Sequence, residues 1–155
     1  MNDPVLQRLA ELGIVLPPAP QPLGAYRAVV QSGPLLFLSG QLPIRDGVVV
    51  YRGAIGAALT ADARRAAAQL CALKALAQIH RFLGGFERLA QIVRVDGYVA
   101  SAPGSFDQPR VLDGASDLFA TVLGERAGHA RTAFALPQLP ADAAVELAVV
   151  AELVV

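Results

Sequence analysis

From Thr60 to Leu83 the chain runs without a proline or glycine and with alanine recurring throughout. So long an uninterrupted stretch has one regular conformation open to it, the α-helix. Thr60 is suited to cap it, Asp62 stands in its first turn, and Gly84 with Gly85 provides the stop. Its alanines, with Leu70, Leu73 and Ala77, make a narrow face on which a helix can lie close to a sheet. The rest of the chain must supply that sheet.

Strands are expected at Tyr26–Val30 and Leu35–Ser39, paired around "QSGP", and at Ile92–Ser101, with a shorter one at Val48–Tyr51. Two more are expected at 131–136 and 144–154. "SGQLPIRDG" interrupts the pattern, and by default "SGQ" is a turn. Gly97, inside a strand, points to a bulge or a close approach. A second helix opens at Pro109 and runs to about Leu123, where Gly114 costs roughly 1 kcal/mol against alanine and so signals tight packing. Ahead of all this, Asp3 and Pro4 open a short amphipathic helix ended by Gly13, and "LPPAPQP" follows as an extended connector. The order of elements predicts an α+β domain with a mixed sheet and both long helices on one face. Residues 1–20 are expected to be an N-terminal appendage and 21–155 the domain proper.

Composition narrows the function classes. With 155 residues the chain suits one domain. Hydrophobic residues make up 54% and charged residues 17%, against a usual charged share of about a quarter, so part of the apolar surface is expected to meet another subunit. Acidic and basic residues balance at 13 each, which disfavours nucleic acid and anionic membranes as partners. The N-terminus does not read as a signal peptide and no run approaches the length of a membrane span. A single cysteine, Cys71, fits the cytoplasm and reads as a small core residue. The two histidines, His80 and His129, have no metal-ligand spacing, and no metal is expected.

Two charges stand out because they interrupt apolar strands. Arg131 shares a strand face with His129, Ala133 and Ala135, while Glu146 lies opposite Val145, Leu147 and Val149. Arg131 is either an edge arginine reaching solvent or a planar fork for a small carboxylate. Glu146 is either an outward-facing residue, the ion-pair partner of Arg131, or a group that holds water and moves a proton. Tyr26 by itself reads as a half-buried strand aromatic, and Gly40 allows a ligand to approach backbone donors.

Taken in order, "AY" at 25–26, "LFLSGQLP" at 36–43, "LT" at 59–60, "QPRVLDGASDLF" at 108–119, "HARTA" at 129–133 and "LPADAAVEL" at 139–147 resemble the reactive-intermediate deaminase family, also called YjgF or L-PSP proteins. The resemblance runs from about residue 21 to the C-terminus, and "GHAR" with "DGAS" is similar to a longer branch. It implies a chorismate-mutase-like fold and a homotrimer with ligand sites in clefts between subunits. It gives Arg131 the carboxylate of a 2-imino acid, Glu146 the hydrolytic water, and Tyr26, Ser39 and Gly40 the lining of the same cleft. Ala133 stands where the well-studied deaminases commonly carry cysteine, a position whose backbone also serves the site.

The implied reaction is cofactor-free hydrolysis of a small 2-imino or enamine acid to a 2-oxo acid and ammonia. Such a deaminase requires Arg131 and Glu146 to face one cavity. A metabolite-binding or regulatory protein for small carboxylates would use the same arginine without positioning water. An endoribonuclease, the third reading, calls for a basic surface or stacking aromatics, and a chain of zero net charge without tryptophan offers neither clearly.

Overall fold

The computed structural model describes residues 3–57 and 59–155. Its elements are α1 (Pro4–Glu11), β1 (Val29–Ser32), β2 (Leu35–Gln41), β3 (Ile44–Arg45), β4 (Val48–Val49), α2 (Ala61–Leu83), β5 (Leu89–Ala100), α3 (Gln108–Leu123), β6 (Ala130–Leu136) and β7 (Val145–Leu153). Five strands form one sheet in the order β1-β2-β7-β5-β6, and β3 with β4 makes a separate hairpin. Every pairing in the large sheet is antiparallel except β5 with β6, whose parallel register is made possible by the crossover through α3. The α+β class and the mixed sheet are as the sequence predicts.

The helices form where their end signals stand. Thr60 Oγ1 accepts the amide of Ala63 at 3.1 Å, and Gly84 takes the left-handed conformation (φ 74°) with its amide on the carbonyl of His80. Both long helices cover the same face of the sheet. The α2 side chains Ala68, Cys71, Ala72, Ala75, Leu76 and Ile79 are buried in one core with Val145, Leu147, Val149 and Ala151 of β7. Glycine sets two of the closest approaches: a Cβ on Gly97 would run into Leu112 of α3, and one on Gly114 would run into the backbone carbonyl of Arg65 on α2. The first helix joins this core through Val5 and Leu9 and packs on α3. Asp3 pins it, accepting the amides of Val5 at 2.9 Å and Phe86 at 2.7 Å.

Three local expectations are corrected. Residues 26–28 are not strand; β1 begins at Val29, and Tyr26 lies in the bend before it, 53% exposed, so it is not a half-buried sheet aromatic. "SGQ" is not a turn but the end of β2, where Ser39 and Gly40 form a bulge: Leu38 pairs with Val149 and Gln41 with Leu147, so two residues oppose one. "IRDGVV" is a hairpin, with Asp46 (φ 53°) and Gly47 (φ 77°) in the left-handed region that a two-residue loop demands.

Candidate functional site

The bulge in β2 decides where the first carboxylate sits. Glu146 is the second residue of β7, and its side chain passes over Gly40, occupying the space a Cβ would fill there. Burial pushes the Glu146 carboxyl above the usual glutamate range, because the charged form has lost part of its water shell. Beside it, Ser39 Oγ donates to the carbonyl of Arg27 at 2.6 Å and the Ser39 amide donates to Ala28, which ties the bulge to the bend carrying Tyr26. The Tyr26 hydroxyl accepts the amide of Leu23 at 3.3 Å.

These groups line a cavity of about 470 Å³ between the sheet edge, α2 and the proline-rich connector. Tyr26, Ser39, Gly40 and Glu146 are thus brought together as a set. Five further polar residues line it that were not expected there from the sequence: Gln21, Gln41, Asp46, Lys74 and Gln78. Gln78 Nε2 donates to the carbonyl of Pro20 at 2.8 Å and to Gln41 Oε1 at 3.4 Å, and Gln41 Nε2 donates to the carbonyl of Ser39 at 2.9 Å. Lys74 is only 4% exposed, and its ammonium donates to the carbonyl of Pro18 at 3.5 Å. Desolvation lowers its pKa; the nearby charge of Asp46 acts to raise it and that of Arg45 to lower it. The i, i+4 spacing of Lys74 and Gln78 was the available signal, but on a surface helix it reads as a solvated stripe.

Arg131 and Ala133 lie elsewhere. In the parallel register Arg131 pairs with Val95, which pairs with Val149 on the helix-covered face; Glu146 pairs with Tyr98 on the open face. Within one chain, therefore, the arginine and the glutamate point to opposite sides of the sheet, and neither is the other's ion-pair partner. The guanidinium instead meets α3: Nη1 donates to Asp113 at 2.9 Å and to Ser116 Oγ at 3.1 Å, and Nη2 donates to the carbonyl of Pro109 at 3.3 Å. Its side chain is 24% exposed, so it stays open to solvent at the sheet edge. Ser116 Oγ also meets His129 Nε2 at 2.9 Å, while Nδ1 of that ring faces the carbonyl of Ala127; His129 is held as a structural link between β6 and α3. Ala133 packs against the core.

Cys71 is buried, and its thiol donates weakly to the carbonyl of Val145 at 3.6 Å. Desolvation, with the charge of Glu146 adding to it, raises its pKa well above the ordinary thiol value, so it is a poor thiolate nucleophile. Among the described residues no three His, Cys, Asp or Glu side chains gather in a metal-binding group, and no helix is long and apolar enough to cross a membrane.

The sequence profile of the family described as "YjgF/chorismate_mutase-like, putative endoribonuclease" matches residues 6–153. The chain belongs to this family. It is 42% identical over 150 residues to Protein TCP17 of Trypanosoma cruzi, covering 96% of this chain and 94% of that one. Among solved structures it superposes on Atu1372 of Agrobacterium tumefaciens, a protein of unknown function, with a TM-score of 0.91 and 38% identity, covering 97% and 92% of the two chains. A structure from Shewanella oneidensis matches with a TM-score of 0.93 and 34% identity, covering 97% of this chain and 99% of the other. The match to the family profile includes most of α1, and both solved relatives cover nearly the whole chain.

Proposed function

We propose that this protein is a homotrimeric hydrolase of small 2-imino or enamine acids, releasing a 2-oxo acid and ammonia. The observation that carries the reading is the desolvated carboxylate of Glu146, held over Gly40 at the wall of a cavity that Tyr26 and Ser39 also line. A carboxyl shifted toward neutrality takes a proton from water more readily than an ordinary glutamate does. Water adds through its oxygen to the imine carbon while Glu146 accepts a proton. The carbinolamine then takes that proton on nitrogen, the C–N bond breaks, and ammonia leaves as the hydroxyl gives its proton back to Glu146 and the carbonyl forms. The protonated imine is already electrophilic, so the rate gain comes mainly from orientation.

The carboxylate grip must then come from a second chain, because Arg131 faces away from the cavity of its own. The open face of the sheet gives reason for such an assembly: Phe37 and Phe134 are 45% and 40% exposed there, and β6 is an unpaired edge. In the proposed trimer Arg131 of one chain turns from Asp113 to hold the substrate carboxylate in the cavity of its neighbour, through two hydrogen bonds that lysine does not reproduce.

The test generates 2-aminoacrylate or 2-iminobutyrate in situ and follows its decay against spontaneous hydrolysis. Native protein is expected to accelerate it, and Arg131→Ala and Glu146→Gln each to abolish the gain. Mixing the two variants after dissociation restores part of it, because a mixed trimer contains sites with both residues intact. Binding of 2-oxo acids without any acceleration across several imines favours the metabolite-binding reading. A monomer at micromolar concentration removes the shared site.

A further inference from the structure

We propose that the cavity selects acids whose side chain ends in a second carboxylate, with Lys74 as the group that receives it. The inference rests on the reading of the cavity as a site for 2-imino and 2-oxo acids, and names the class of substrate within it.

Lysine is rarely buried without a partner, because its ammonium gives up strong hydration. Lys74 is 4% exposed, yet among the described residues its ammonium has one acceptor, a backbone carbonyl at the outer limit of hydrogen-bond length. An ammonium has three donors. No carboxylate of the described residues comes within 4.0 Å of it, Glu146 of the same cavity included. Asp46 and Arg45 are the charged groups that act on it from the β3–β4 turn; both are exposed, and solvent weakens their effect. The cavity therefore holds a donor with capacity to spare and space in front of it.

The size of that space agrees. About 470 Å³ corresponds to roughly fifteen waters, well above what a three- or four-carbon acid fills. Asp46 and Glu146 are the acids of the cavity, and Lys74 with one arginine from a neighbouring chain offsets them, so it is the place of Lys74, not an excess of positive charge, that favours a second carboxylate. With the α-carboxylate on that arginine and the imine at Glu146, the distal carboxylate completes the donors of Lys74, beside the amide of Gln78. A monocarboxylic acid with an alkyl chain would leave the ammonium as it is.

Calorimetry with 2-oxoglutarate and 2-oxopentanoate, acids of equal chain length, reads the inference directly. Native protein is expected to bind 2-oxoglutarate about tenfold or more tightly than 2-oxopentanoate. Lys74→Met, close in volume, is expected to remove the preference while leaving 2-oxopentanoate affinity and the melting temperature undiminished. Lys74→Arg is expected to retain a preference. Equal binding of the two acids by native protein, or a preference that survives in a folded Lys74→Met protein, overturns the role of Lys74 and leaves the carboxylate cavity standing. Failure of native protein to bind either acid overturns both.

Discussion

The carboxylate of Glu146 stands where residue 40 would carry its Cβ. The relationship couples a backbone feature, the β2 bulge, to the one acid of the cavity that burial has shifted, and makes Gly40 a requirement of the site rather than of the fold.

Gly40→Ala is therefore expected to spare stability and damage function. The methyl group meets the far end of a side chain that has the cavity beside it to move into, so melting should change little. The displaced carboxylate no longer faces the cavity, and a misplacement of about 1 Å costs on the order of 100-fold in rate. Imine hydrolysis and thermal melting, measured on the same preparation, separate the two effects.

Replacing Glu146 by Gln is expected to raise the melting temperature at neutral pH. The folded-state pKa lies above the unfolded value of about 4.3, so the native state binds more protons and its stability falls as pH rises through that window. Removing the group removes that loss. The difference between native and variant should be largest near pH 7 and close to zero below about pH 4. Melting curves across that range check the sign, and a variant less stable than native at pH 7 would contradict it.

Gly114→Ala tests the packing of the two long helices. The methyl group strikes the carbonyl of Arg65, which belongs to the α2 backbone and cannot move without the helix. Alanine gains about 1 kcal/mol in helix propensity, while overpacking costs about 1–3 kcal/mol and backbone contacts lie at the upper end. A net loss of about 1–2 kcal/mol lowers the melting temperature by about 2–8 °C in a domain of this size. Calorimetric melting measures it.

The features legible in the sequence were those written by local chemistry. Thr60, Gly84 and Pro109 mark helix ends because caps and fixed φ act within a few residues, and Gly97 and Gly114 mark close approaches because the absent Cβ has no other use there. Glu146 and Arg131 were legible as charges interrupting apolar strands, but not the side of the sheet each would face, since that depends on the register of β5 against two neighbours. Lys74 and Gln78 were not legible as cavity groups, because what covers them is a connector more than fifty residues earlier in the chain. The β3–β4 hairpin was marked by Asp46-Gly47, a turn signal hidden between strands of only two residues.

The connector between α1 and β1 has a consequence for how sites of this kind diverge. Its four prolines, at 17, 18, 20 and 22, stiffen it into an extended rod that advances about 3 Å per residue, and carbonyls of that rod meet Lys74 and Gln78. Neither end of the rod depends on the ligand: Asp3, Val5 and Leu9 anchor the helix before it, and the sheet fixes the strand after it. Lengthening or shortening it by a single residue would move one wall of the cavity by about that amount while the core stayed as it is. On the proposed reading of the cavity, the range of ligands is a matter of span, adjustable like a spacer, and evolution can retune it without touching Glu146 or Arg131.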